Sequence, residues 1–154
     1  MEITDAIAEG LLRTVMTNAK IAHTDPENYE ARAEIMWAGS LAHNDLTGCG
    51  NDGGDFCSHM LEHEMGGMFD VTHGAGLAAL WGSWARYTCH VNISRFAQFA
   101  VNVMGVQQNF KSLEETAEAG IKACEAFFRS IGMPTNIHDL IGREITDAEF
   151  EEMA

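Results

Sequence analysis

Apolar residues recur at helical spacing along almost the whole chain. Ile3, Ile7, Leu11, Thr14/Val15 and Asn18 mark one face of a first amphipathic helix that ends near Lys20. His23-Thr24-Asp25-Pro26-Glu27 reads as a loop leading into a second helix. Asp25 can cap that helix, and Pro26 suits its first position, where a missing N–H has no intrahelical partner to lose. The second helix is expected to run to about Leu46, with Ala31, Ile35, Ala38/Gly39 and Ala42 on one face. Small residues there let a neighbouring helix approach closely.

Residues 47–54 are rich in Gly and Asn and must be a connection. A third helix is predicted from about Asp55 to Met65, stopped by Gly66-Gly67. Asp70 then caps a fourth, which places His73 in its first turn and continues through Leu77, Leu80, Trp81 and Trp84 to about Thr88. A helix over 92–104 buries Phe96, Phe99/Ala100 and Val103. Ser112 with Glu115 forms a capping box for a long helix over 113–131, whose apolar face is Leu113, Ala117, Ile121, Cys124, Phe128 and Ile131. Gly132 and Pro134 end it. Residues 136–141 read as a short turn, and Thr146 with Glu149 caps a final helix. The sequence offers no convincing β-strand, repeat or low-complexity tract. The pattern predicts an all-α, multi-helix domain of about seven helices.

Composition narrows the function. The 154 residues fit one domain with a sizeable core. No apolar run approaches the ~20 residues that span a bilayer, and no signal peptide opens the chain, so a cytoplasmic protein is the default expectation. The formal net charge of −14, from 23 acidic against 9 basic residues, argues against nucleic acid or an anionic membrane as partner. Cys49, Cys57, Cys89 and Cys124 show no CxxC pair and read as reduced thiols. There is neither a Gly-x-Gly-x-x-Gly turn after a strand nor a phosphate-binding Gly-Lys-Ser/Thr element, so the chain shows no nucleotide site of its own.

The chemistry concentrates in residues 57–74, which hold His59, His63 and His73. His59 and His63 are four apart, so their rings leave one face of a helix about 6 Å apart at Cβ. The turn at Gly66-Gly67 and Asp70 lets His73 swing back toward that face. Three imidazoles so arranged suit Zn²⁺ or Fe²⁺ better than Mg²⁺ or Ca²⁺, which want oxygen. Chance also produces such pairs in a chain with seven histidines. His43 reads as a surface or helix-packing residue, and Cys57 as a small buried thiol beside the histidines rather than a ligand.

His59-x-x-x-His63-x-x-Gly66, followed by His73-Gly74, resembles the C-terminal signature of the iron-containing alcohol dehydrogenases, closest to their butanol dehydrogenase and aldehyde reductase branch. The segments 26–32, 36–38, 41–44, 62–64 and 75–78 resemble that branch too, so the likeness covers essentially the whole chain. It implies the C-terminal helical domain of an enzyme whose other, α/β domain binds NAD(P). It also implies a divalent metal, Fe²⁺ or Zn²⁺, held by one Asp and three His in the cleft between domains. His59 and His73 match two of those histidines. His63 matches the histidine that lies near substrate and nicotinamide without being a ligand, a candidate to shuttle a proton or orient the substrate. A small alcohol or aldehyde is the implied substrate, and a homo-oligomer an expected state, since family members commonly oligomerise.

The first helix starts almost at residue 1 and the last is cut after barely two turns. Together with the resemblance, this reads as a single domain, 1–154, lacking the nucleotide domain, the helix with the remaining ligands and the C-terminal end. Two other readings compete. His59-Met60-Leu61-Glu62-His63 fits the inverted zinc-protease motif, with Glu62 as general base and both histidines as ligands. A non-enzymatic helical module would bind partners through its acidic surface or exposed Trp and Met. The dehydrogenase reading predicts that the isolated chain has no NAD(P)H-dependent reductase activity, because nothing in it holds the hydride donor; any such activity above a protein-free control contradicts it.

Overall fold

A computed structural model describes residues 2–50, 54 and 56–153. Among these the chain is all helical, with no strand. The α-helices are α1 (Glu2–Thr24), α2 (Tyr29–His43), α3 (Cys57–Phe69), α4 (His73–Thr88), α5 (Ile93–Asn102), α6 (Leu113–Ser130), α7 (Ile137–Ile141) and α8 (Asp147–Met153). Single 3-10 turns at Leu46–Gly48 and Cys89–Val91 follow α2 and α4. The helices beyond the predicted seven come down to α7, which had read as a turn. Asn136 caps it by accepting from the Asp139 N–H at 2.8 Å.

Local chemistry accounts for most helix ends and corrects several expectations. α1 continues four residues past Lys20. Asp25 and Pro26 do not open α2; Asn28 does, accepting from the Ala31 N–H at 3.0 Å. Asp25 instead follows the end of α1, its N–H donating to the Ile21 carbonyl at 2.8 Å. The α2 helix ends at His43, short of Leu46, where Asp45 turns left-handed at φ 64°. Ser112 caps α6 as expected, accepting from the Glu115 N–H at 3.1 Å, but the Glu115 carboxylate takes the Asn109 amide at 2.6 Å rather than closing the box. The box before α8 is closed: Thr146 accepts from the Glu149 N–H, and Glu149 accepts from the Thr146 N–H at 2.9 Å.

The α4 helix is the hub. It packs on α3, α6 and α7, and its buried positions are all small: Gly76, Ala78, Ala79, Gly82 and Ala85. Its larger residues reach α5 and α6. Trp81 meets Phe99 and Phe128, and Trp84 meets Phe96, with ring centroids 5.8–6.2 Å apart. Trp37 on α2, by contrast, is 63% exposed. Arg86 on α4 ties down α6 with two bonds to the Glu125 carboxylate, at 2.6 and 2.9 Å. Beside this pair, α5 and α6 touch backbone to backbone. A Cβ added to Gly120 would lie 2.3 Å from the Ala100 Cβ and 2.7 Å from its Cα. Of the expected faces, Ala100 and Val103 on α5 and Ala117, Ile121 and Cys124 on α6 are buried, joined by Ala97, Thr116 and Phe127, while Phe96, Phe99 and Phe128 turn toward the tryptophans.

The expected face of α1 is half-buried at Ile7, Leu11, Thr14, Val15 and Asn18 but not at its first residue. Ile3 is 67% exposed, and buried Thr4 donates its hydroxyl to the Cys49 carbonyl at 2.8 Å. On another side α1 meets α5 through polar groups. Arg95 grips both Asp5 oxygens at 2.5 and 2.7 Å, while Gln98 and Asn102 donate to Glu9 at 2.7 and 2.9 Å. The Arg95 hydrogen bonds hold the Asp5 carboxyl down from its ordinary 3.8 to about 2. Between those values the unfolded chain binds the more protons, so the contact stabilises the fold above about pH 4 and is lost as pH falls toward 2.

Two outcomes follow from this packing. Asp5→Asn is expected to flatten the fall in urea midpoint between pH 4 and 2, leaving the share from Glu149, which Arg143 holds at about 2. Gly120→Ala is expected to cost about 1–3 kcal/mol in denaturant unfolding, because overpacking at Ala100 outweighs the helix propensity gained.

Candidate metal centre

The α3 helix does not stop at Gly66-Gly67. Both glycines lie within it, and it ends at Phe69 with Asp70 as a left-handed C-cap, φ 52°, whose N–H donates to the Gly66 carbonyl at 3.0 Å. Asp70 therefore closes α3 rather than opening α4. Extended Thr72 precedes α4, its carbonyl accepting from Ala75 and Gly76 at 2.9 and 3.0 Å. This three-residue reversal lays His73, the first residue of α4, against the face of α3 that carries His59 and His63.

The three predicted histidines do come together. Ring centroids are 5.4 Å apart for His59 and His73, 5.5 Å for His63 and His73, and 6.4 Å for His59 and His63. Glu62 joins them. It is 2% exposed, and its Oε2 is hydrogen-bonded to His73 Nδ1. The tightest donor set is Glu62, His63 and His73, whose ligand atoms all lie within 4.8 Å of one another. His59 stands outside that set, against Phe56 at 5.4 Å between centroids. Cys57 opens α3 on an exposed position, and His43 is exposed at the end of α2.

The sequence reading considered Glu62 only as a protease base. The geometry does not favour that role, because a base must reach a water and this carboxylate is buried and bonded to His73. What marks Glu62 in the sequence is its register: one helical turn before Gly66, and across the corner from Gly76. A Cβ on Gly76 would lie 2.6 Å from Glu62 Cγ and 2.8 Å from Oε1; one on Gly66 would lie 3.3 Å from Oε1. The glycines make room for the carboxylate.

This donor set fits a divalent metal that accepts imidazole nitrogen. Three rings converge, and a carboxylate on Nδ1 of His73 leaves its Nε2 available. Beside His59 opens a cleft of about 550 Å³, walled by Phe56, Leu77, Trp81 and Trp84. Imidazoles thus meet an apolar cleft at one corner of an all-helical domain.

The particular family follows from comparison. The model of the Fe-containing alcohol dehydrogenase family, C-terminal, matches residues 1–154, and the chain belongs to that family, as its C-terminal helical domain. It is 39% identical over 144 residues to an NADH-dependent butanol dehydrogenase A of Clostridium acetobutylicum, covering 92% of this chain and 36% of that protein. It is 33% identical to the NADPH-dependent aldehyde reductase YqhD of Escherichia coli, covering 90% and 35%. The solved structure of an NADH-dependent butanol dehydrogenase A from Thermotoga maritima superposes with a TM-score of 0.90 at 32% identity, over 99% of this chain and 37% of that one. The chain thus spans less than two-fifths of each of these three relatives. No described helix is long and apolar enough to cross a membrane.

Proposed function

We propose that the chain is the metal-holding domain of an NAD(P)-dependent alcohol dehydrogenase or aldehyde reductase, which interconverts a primary alcohol and an aldehyde by hydride transfer. The observation that carries this reading is the convergence of His59, His63 and His73 at the α3–α4 corner, with His59 also lining an apolar cleft. The relatives named as butanol dehydrogenase and aldehyde reductase support the reaction class. A separate nucleotide-binding domain would hold NAD(P).

His59 and His73 are the ligands this chain contributes to Fe²⁺ or Zn²⁺; both ions accept imidazole. When bound, the ion supplies Lewis acidity to the substrate oxygen. His63, exposed beside both rings, holds or moves the proton at that oxygen. Phe56, Leu77 and Trp81 shield the hydrocarbon part of the substrate from water. Glu62 is already engaged by His73 and buried, which is why it is not assigned as a ligand.

The test is an anaerobic titration of Zn²⁺ and Fe²⁺ into the chain and its His59→Ala, His63→Ala and His73→Ala variants. His59→Ala and His73→Ala are expected to weaken binding at least about tenfold, while His63→Ala largely spares it. Binding that requires His63 and survives loss of His73 overturns the assignment in favour of the inverted protease arrangement.

A further inference from the structure

We propose that Glu62 is the positioning residue of this centre, fixing His73 with its proton on Nδ1 and its lone pair on Nε2. The inference rests on the metal reading above for its use, but the contact itself can be measured without metal.

Three observations carry it. The first is burial: a carboxylate that is 2% exposed must be hydrogen-bonded, since nothing else replaces the hydration it has lost. Its partner is His73 Nδ1, and since an ionised carboxylate can only accept, the proton of that bond belongs on Nδ1. The second is the slot. Gly76 and Gly66 leave space for Glu62 that any larger residue would fill, so the carboxylate is held between α3 and α4 rather than free to swing into solvent. The third is the ring itself. The side chain of His73 is 51% exposed although its carboxylate partner is buried, so one edge of the imidazole is clamped and the other is open.

Nδ1 and Nε2 lie on different edges of the ring. A ligand on Nε2 therefore sits away from Glu62, and the carboxylate acts through His73 rather than on the ion. Carboxylate–histidine pairs of this kind set the tautomer and raise ligand basicity, and their loss typically lowers metal affinity about 10–100-fold. In this chain the device also explains why His73 is the first residue of α4. The reversal at Asp70–Thr72 brings its Nδ1 onto a carboxylate that belongs to α3.

The experiment uses the whole chain, labelled with ¹⁵N-histidine and free of metal, at a pH where imidazole is neutral. Long-range ¹H–¹⁵N correlation reads the tautomer of each ring, with His73→Gln assigning the signal. Wild-type His73 is expected to carry its proton on Nδ1. Glu62→Ala should shift it to the Nε2–H form common in water and weaken Zn²⁺ binding about 10–100-fold. Glu62→Gln keeps the shape of the side chain if the alanine variant fails to fold, and should show a smaller loss in both readings. Gly76→Ala leaves Glu62 in place chemically but evicts it from the slot, and should resemble Glu62→Ala. A wild-type ring protonated on Nε2, or a tautomer unchanged in all folded variants, overturns the proposal. So does Zn²⁺ binding equal in wild type and both Glu62 variants, which would leave the metal centre standing. A wild-type chain that shows the Nδ1–H form but binds no Zn²⁺ upholds the contact and overturns the metal reading instead.

Discussion

Burying a carboxylate in a helical domain imposes a condition that reaches well beyond one residue. Glu62 lies under the first turn of α4, where an unpaired charge would cost several kcal/mol. Its hydrogen bond from His73 therefore constrains the crossing of α3 and α4, the length of the reversal between them and the residues that can line the corner. Gly76 and Gly66 are small because the carboxylate occupies the space a side chain would need. Asp70 takes a left-handed conformation because the chain must turn within three residues to deliver His73. The histidine cluster inherits its geometry from that corner.

From the corner outward, α4 transmits the arrangement by close packing. Its buried face is glycine and alanine, so neighbouring helices lie against its backbone and have little freedom to shift. The α5–α6 contact at Ala100 and Gly120 is tighter still. The aromatic rings of Trp81, Trp84, Phe96, Phe99 and Phe128 fill the wider space between α4, α5 and α6, and two of them also wall the cleft beside His59. The same helix thus supplies both close-packed scaffold and the wall of the cleft.

The periphery is held differently. The α1 helix meets α5 through Asp5, Glu9, Arg95, Gln98 and Asn102, and Arg86 joins α4 to Glu125 of α6. In these contacts the first contribution is the bidentate hydrogen bond, which also depresses the carboxylate pKa values of Asp5 and Glu125. Their partial exposure makes them specifiers of register more than sources of stability.

Much of this was legible in the sequence. Hydrophobic period identified the long helices, and Ser112 and the Thr146–Glu149 pair marked starts that the backbone uses, because capping is decided within four residues. The i, i+4 spacing of His59 and His63 put two imidazoles on one face for the same local reason. Where two local signals competed, the sequence could not choose between them. Asp25-Pro26 is the expected start of α2, yet Asn28 caps it, and Gly66-Gly67 is the expected end of α3, yet Asp70 closes it. The exposed Ile3 and the turn of Phe96, Phe99 and Phe128 toward the tryptophans show the same limit, since a helix's apolar stripe does not say which neighbour it will meet. Only the tertiary structure decided that Glu62 is buried, that Gly66 and Gly76 exist to accommodate it, and that His73 is clamped at Nδ1. Those facts depend on two helices crossing, and the cost of leaving a charge unpaired arises only once the crossing has removed it from water.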